Sequence, residues 1–282
     1  ALYLNLKSLP SKVKKIGIIN NSCIHVPLSI ILAKKKVVFI DINLRNFSFD
    51  LVDLKKKKVD ALIAIHSYGY KCDIVKIKNY AKKNNIFLIE DLAVAQGLDF
   101  KSKTPVGSFG DTSILSFGAG KVINAGGGGA VLTNDHRLYK KLLFLNDKIS
   151  FPTQANKNII EKFSKFHTKV YNSLYIYENK KNLLKKFKFY TKKYSKNFIF
   201  KFENYRAQKI YKKTLKIKKY LYLRKKNYKE VYNRLKKNKN YKYKILPLKP
   251  SFVPWRFNIF FKNNNDRNFV MRELLKNKIK IS

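Results

Sequence analysis

The residues of this chain best equipped for chemistry are gathered between positions 86 and 135. The run IFLI at 86–89 is short and apolar, which suits a strand buried on both faces, and it ends in the acidic pair Glu90 and Asp91. A carboxylate at the C-terminal end of such a strand faces the crevice where open α/β sheets bind ligands. A second run, SILSF at 113–117, leads into Gly118, Ala119, Gly120 and Lys121, and four consecutive glycines at 126–129 precede a third run, AVLT at 130–133. Successive glycines let the backbone take positive φ and pass close to something bulky, at an entropic cost that a plain connector would not need. One lysine therefore sits between two glycine-lined bends.

Spacing tests what that lysine is for. A phosphate-cradling P-loop needs a glycine five places before Gly120 and Ser or Thr after the lysine, where this chain has Leu115 and Val122. A dinucleotide fingerprint also fails, because Lys121, Val122 and Ile123 follow the Gly118-Ala119-Gly120 turn. What remains is a lysine in a confined, partly apolar loop, whose pKa burial and neighbouring charge can lower until it attacks a carbonyl. An upstream aspartate suits the ring nitrogen of pyridoxal phosphate.

The segments IEDLAVAQG, VGSFGDTSILSF, Lys121 and AGGGGAVLTND, in that order, resemble the DegT-type (DegT/DnrJ/StrS) sugar aminotransferases, pyridoxal-phosphate enzymes of fold type I. The resemblance implies that Lys121 is the Schiff-base lysine, that Asp91 pairs with the pyridinium nitrogen and that Ser116 contacts the cofactor phosphate. It also implies an imidazole over the ring face from the octet NNSCIHVP at 20–27, in which His25 and Pro27 match; a capped histidine at a helix start is the equal alternative. Where the family commonly has Gln or His three places after the aspartate, this chain has Val94, with Gln96 two places on. The HSYG loop at 66–69 matches a loop bordering the family's site, and equally suits a strand-end cap.

The rest of the chain must hold that centre in place. Apolar runs at 15–19, 36–42 and 61–65 alternate with amphipathic stretches, predicting right-handed crossovers and a mainly parallel sheet. The fold expected is the three-layer large domain of fold type I over 1–145, a basic helical connector over 146–200 and a smaller α+β domain over 201–282. One long helix is expected over 203–235, strands at 243–248 and 254–261, and a helix at 266–277. The first residues read as the middle of a helix that in the family follows half of the phosphate cup, and both ends of the chain read as open.

Sixty-two basic residues against seventeen acidic give a net charge of +45. A field of that size attracts nucleic acid non-specifically. Only eight of the basic residues are arginine, the side chain suited to bidentate phosphate and base contacts, and the lysines travel with Asn, Ile and Tyr throughout. The charge is thus read as compositional drift, and no specific nucleic-acid partner is expected. Residues 1–135 carry +10 of the charge and 136–282 carry +35, so drift is held back where the chemistry lies. Cys23 and Cys72 are too few for a disulfide scaffold and fit no metal spacing. The absence of a membrane-length run and of a signal pattern predicts a cytoplasmic protein.

The resemblance implies a pyridoxal-phosphate-dependent aminotransferase that carries an amino group from an amino acid, glutamate foremost, to a nucleotide-linked keto sugar for surface polysaccharide or glycan synthesis. A homodimer with shared pockets goes with that reading. The alternative is a catalytically decayed or partial protein of the same fold, retained as a basic binding module.

Overall fold

The computed structural model describes residues 1–98, 104–176, 182, 185, 191, 195–237, 243–245 and 252–279. Its centre is a sheet in the order β2-β1-β3-β4-β5-β6, formed by β1 (Lys15–Ile19), β2 (Lys36–Ile40), β3 (Ala61–Ile65), β4 (Phe87–Asp91), β5 (Thr112–Ser116) and β6 (Gly129–Leu132). All neighbours pair in parallel except β5 and β6, which are antiparallel. The mainly parallel α/β sheet between helices expected from the alternating runs is present.

Strand alternation sorts the core into two halves. On one face Ile16, Ile18, Ile63, Ile89 and Ile114 pack with Leu6 of α1 (Leu2–Ser8) and with Val26 and Ile30 of α2 (His25–Leu32). On the other, Ile19, Ile40, Leu62, Ala64 and Leu88 pack with Leu54 of α3 (Leu51–Lys56) and with Ile74, Ile77 and Ala81 of α4 (Ile74–Lys83). Each fully buried Ile or Leu contributes about 1.5–3 kcal/mol relative to exposure, which is why these runs are predominantly aliphatic. Gly17 is a spacing requirement: a Cβ there would lie 2.7 Å from Leu62 Cδ2 and 2.8 Å from Ile40 Cδ1. Polar residues mark the helix starts. Asp50 accepts from the N–H groups of Val52 and Asp53, and Asp135 accepts from Leu138 at the start of α5 (His136–Asp147), satisfying donors that a helix N-terminus leaves unpaired.

Later elements are α6 (Gln154–Ile176), α7 (Asn204–Thr214), α8 (Ile217–Lys237), β7 (Tyr243–Ile245), β8 (Ile259–Phe261) and α9 (Asn264–Lys276). The long helix expected over 203–235 is interrupted after Thr214, whose hydroxyl donates to the Ile210 carbonyl, a back-bond that bends helices. The strand expected over 254–261 is confined to its last three residues, and positions 246–248 of the other expected strand lie outside the described residues.

The chain divides into two compact units. The first comprises Ala1–Ile149, Phe202–Asn233 and Leu248–Phe257, and contains the six-stranded sheet. The second comprises Ser150–Lys201, Arg234–Pro247 and Asn258–Ser282, and contains the β7–β8 ribbon and an edge-on contact of Phe163 with Phe198 at 5.1 Å. No helix among the described residues is long and apolar enough to cross a membrane.

Candidate active site

The adjacent acids at the end of β4 have opposite duties, and the pleat assigns them. Asp91 shares a face with Ile89, the side of α1 and α2, and Glu90 shares the opposite face with Leu88. Glu90 is fully buried. Its carboxylate accepts from His66 Nε2 at 2.9 Å and from the backbone N–H groups of Gly107 at 2.8 Å, Phe109 at 3.0 Å and Gly110 at 3.3 Å. Burial pushes its pKa up, but the His66 bond and these N–H groups outweigh that and hold it below the usual carboxylate range. His66 Nδ1 accepts from the Cys72 N–H at 3.2 Å, which leaves Nε2 to carry the proton toward Glu90. Of the two readings of the 66–69 loop, the structure makes His66 a tie at the end of β3.

Asp91 is also buried, and its Oδ1 accepts from the Ala93 N–H at 2.8 Å. Desolvation raises its pKa; the Ala93 N–H and the positive charge of Lys121 work against the rise. Lys121 answers from across the crevice. Burial lowers its pKa, while Asp91 and Cys23 act to raise it and Arg256 to lower it further. The Lys121 ammonium lies 4.9 Å from the Trp255 ring centroid. His25, at the start of α2, stays exposed, yet the surrounding protein and the Lys121 charge lower its pKa. Asp91, Lys121 and His25 therefore meet in one electrostatic neighbourhood at the carboxyl ends of the parallel strands. Ser116 ends β5 on the same face as Asp91, by alternation from Ile114.

The loop carrying Lys121 is held by its main chain, which leaves the lysine side chain unencumbered. Gln96 donates from Nε2 to the Ser116 carbonyl at 2.7 Å and accepts at Oε1 from the Ile123 N–H at 3.1 Å. Arg224 donates to the carbonyls of Gly120 at 3.0 Å, Lys121 at 3.2 Å and Pro254 at 3.3 Å. Phe117 closes the far side, donating to the Gly128 carbonyl and accepting from Ala125 and Gly127. What the glycine run approaches is part of the protein: a Cβ on Gly128 would lie 1.9 Å from Phe202 Cε2. Val94 is buried in place of the polar side chain common there, and Gln96 is committed to the loop.

The residues at the site that sequence reasoning left unassigned are Arg224, Trp255 and Arg256. Arg224 comes from α8, whereas Trp255 and Arg256 are brought there by Gly69, whose φ of +88° and missing Cβ admit the Val253 carbonyl, 1.7 Å from where a Cβ would stand. Val253 N–H donates to the Gly69 carbonyl at 3.1 Å, so the HSYG loop holds the segment bearing Trp255. A signal for two of them is present in the composition: arginine is rare in this lysine-rich chain, and two of its eight arginines stand here.

The fold and the site define an α/β protein with a half-buried lysine on a glycine-bounded loop, set above the carboxyl ends of a parallel sheet and electrostatically coupled to a strand-end aspartate. The chain belongs to the DegT/DnrJ/EryC1/StrS aminotransferase family, whose pattern matches residues 21–282. It is 40% identical to GDP-perosamine synthase of Escherichia coli O157:H7 over 109 residues, 38% of this chain and 30% of the synthase, so the match spans less than a third of that relative's length. Helicobacter pylori PseC, an aminotransferase involved in the biosynthesis of pseudoaminic acid, superposes with a TM-score of 0.71 at 17% identity, covering 98% of this chain and 67% of PseC. NtdA from Bacillus subtilis with bound cofactor PMP superposes with a TM-score of 0.69 at 20% identity, covering 98% and 56% of the two chains. At such identities the likeness is one of fold.

Proposed function

We propose that this chain is a pyridoxal-phosphate-dependent aminotransferase acting on a nucleotide-linked keto sugar, with an amino acid, glutamate foremost, as donor. The observation that carries the reading is Lys121: a lysine with a lowered pKa, its backbone clamped by Arg224 and its side chain left to face Asp91 and Trp255. The match to GDP-perosamine synthase supports a sugar carried on a nucleotide.

The residues present fit the cofactor. Asp91 is a desolvated carboxylate whose pKa is raised, so a cationic N–H placed against it would relieve the cost of its burial. When bound, the pyridine ring supplies an electron sink for charge released at the amino carbon. Lys121 Nζ would hold the cofactor at its carbonyl carbon and, once displaced by the donor's amine, move the proton at the donor's α-carbon. Asp91 would hold the proton at the ring nitrogen, Ser116 would donate to the phosphate, and His25 would border the ring. Burial of the Lys121 ammonium matters here because only the neutral amine is a nucleophile.

These residues cover the ring and one side of the phosphate, and a second copy of the chain completing each pocket accounts for the remainder. A closed two-fold dimer is also the commonest oligomer. With +35 of the charge on residues 136–282, the less basic residues 1–135 form the favoured contact. Light scattering across a salt series should show a dimer; a protein that is monomeric at every salt concentration yet transaminates would exclude shared pockets. For the activity itself, wild-type protein given pyridoxal phosphate should develop the near-visible absorption of lysine-bound cofactor and lose it on addition of glutamate. Lys121→Ala should develop none, and an alanine variant that keeps the band would refute the assignment.

A further inference from the structure

Among the described residues, positive charge at the site exceeds the carboxylate charge acting on it. Lys121 and Arg256 lie over the Trp255 indole, Arg224 is electrostatically coupled to Arg256, and the carboxylate acting on Lys121 is Asp91. Arg224 is spoken for by the carbonyls of Gly120, Lys121 and Pro254. Arg256 is not. Its guanidinium carbon lies 4.7 Å from the Trp255 ring centroid, its Nε is enclosed without an acceptor, and its two Nη atoms meet no acceptor among the described residues. The indole Nε1 of Trp255 is likewise enclosed and unpaired, and it lies 4.0 Å from where a Cβ would stand on Gly120, next to the lysine. An enclosed donor with no acceptor is destabilising, because its lost hydration is not replaced. Two such donors on adjacent residues, in a cationic surrounding, fit a group that brings both lone pairs and negative charge.

We propose that Arg256, supported by the indole N–H of Trp255, forms an oxyanion subsite beside Lys121. A guanidinium stacked on an aromatic ring keeps its planar fork of N–H donors free, the geometry that matches a carboxylate or a phosphate face. The proposal deepens the aminotransferase reading and rests on it for the ligand's identity: the anion is either the carboxylate of the amino donor or a phosphate of the cofactor or nucleotide. Arg256 is here a binding residue, and its charge also acts to lower the Lys121 pKa.

Trp255 is the chain's single tryptophan, so its emission reports on this subsite. The purified protein, with and without pyridoxal phosphate, is titrated at constant ionic strength with glutarate, which lacks a reactive amine, and separately with inorganic phosphate, with chloride as the blank. Indole emission and calorimetric heat are followed together. A saturable response to glutarate identifies the carboxylate source, one to phosphate identifies the phosphate source, and either supports the subsite. Arg256→Gln should weaken the apparent Kd by at least roughly tenfold, the equivalent of about 1.4 kcal/mol. Arg256→Lys, which keeps the charge but loses the fork, should fall between and serves if the glutamine variant does not fold. No saturable signal from either anion by either readout, or a folded Arg256→Gln that titrates like wild type, overturns the proposal. Anion binding through Arg256 in a protein whose Lys121 takes no cofactor would sink the aminotransferase reading and leave the subsite standing; cofactor capture without anion binding would do the reverse.

Discussion

Substituting Gly128 by alanine tests whether the glycine run serves the protein's own packing. Gly126 and Gly128 have φ of +79° and +84°, so an alanine at either incurs about 1–2 kcal/mol of left-handed backbone strain. Their surroundings differ. At Gly126 the nearest atom to an added Cβ is Arg206 Nη1 at 3.5 Å, ordinary contact with the end of a flexible side chain. At Gly128 the Cβ would meet Phe202 Cε2 at 1.9 Å and Cδ2 at 2.4 Å, and that ring packs 6.3 Å from Phe117. Displacing it adds an overpacking cost of about 1–3 kcal/mol. Gly126→Ala should therefore lose about 1–2 kcal/mol and Gly128→Ala about 2–5 kcal/mol. Urea unfolding with unchanged m values would measure both. In a Phe202→Ala background the excess at Gly128 should vanish, leaving the backbone strain. Because the Phe117 to Gly128 hydrogen bond closes the loop holding Lys121, Gly128→Ala should also slow capture of pyridoxal phosphate. Equal losses at the two glycines, or an excess that survives removal of Phe202, would refute the reasoning.

Glu90→Gln should cost ~3 kcal/mol, as for breaking a buried pair, since it strips the carboxylate that His66 and the 107–110 loop share. The folded pKa of Glu90 is depressed, so its stabilisation is full above the unfolded value of about 4.3 and is lost as pH falls through the lower folded one. Thermal midpoints of wild type and variant should converge on acidification, and a gap independent of pH would contradict this. Asp91→Asn and Arg256→Gln should move the pH midpoint of pyridoxal phosphate capture in opposite directions, because Asp91 raises the Lys121 pKa and Arg256 lowers it. The asparagine variant should shift the midpoint down and the glutamine variant up; shifts of the same sign would show that Lys121 is not the titrating amine.

The sheet was legible because its central strands are largely buried and their runs are dominated by Ile, Leu, Val and Ala. The lysine loop was legible because glycines flanking a lone lysine have few other uses. The resemblance already gave Asp91 rather than Glu90 to the site, and the physical reason is that both lie within β4, where the pleat sends them to opposite faces. The partner of the glycines was hidden because Phe202 arrives from far along the chain, on an irregular stretch before α7. Trp255 and Arg256 were missed for a related reason. Local pattern reads their segment as a strand, whereas its course is set by Gly69 accepting the Val253 backbone, a contact between distant residues that periodicity does not encode. Arg224 belongs to a helix whose other charged residues are mostly lysines, and only its bonds to the Gly120 and Lys121 carbonyls distinguish it.

The central claim is that one lysine, in a chain where lysines abound, is the chemically distinct one. Borohydride reduction of the protein with stoichiometric pyridoxal phosphate, followed by peptide mass mapping, tests it directly. The pyridoxyl mass should fall on Lys121 alone, because burial and the Arg256 charge lower the pKa of this amine and so favour its nucleophilic neutral form. Label spread over the surface lysines, or concentrated at any position other than Lys121, would contradict the account.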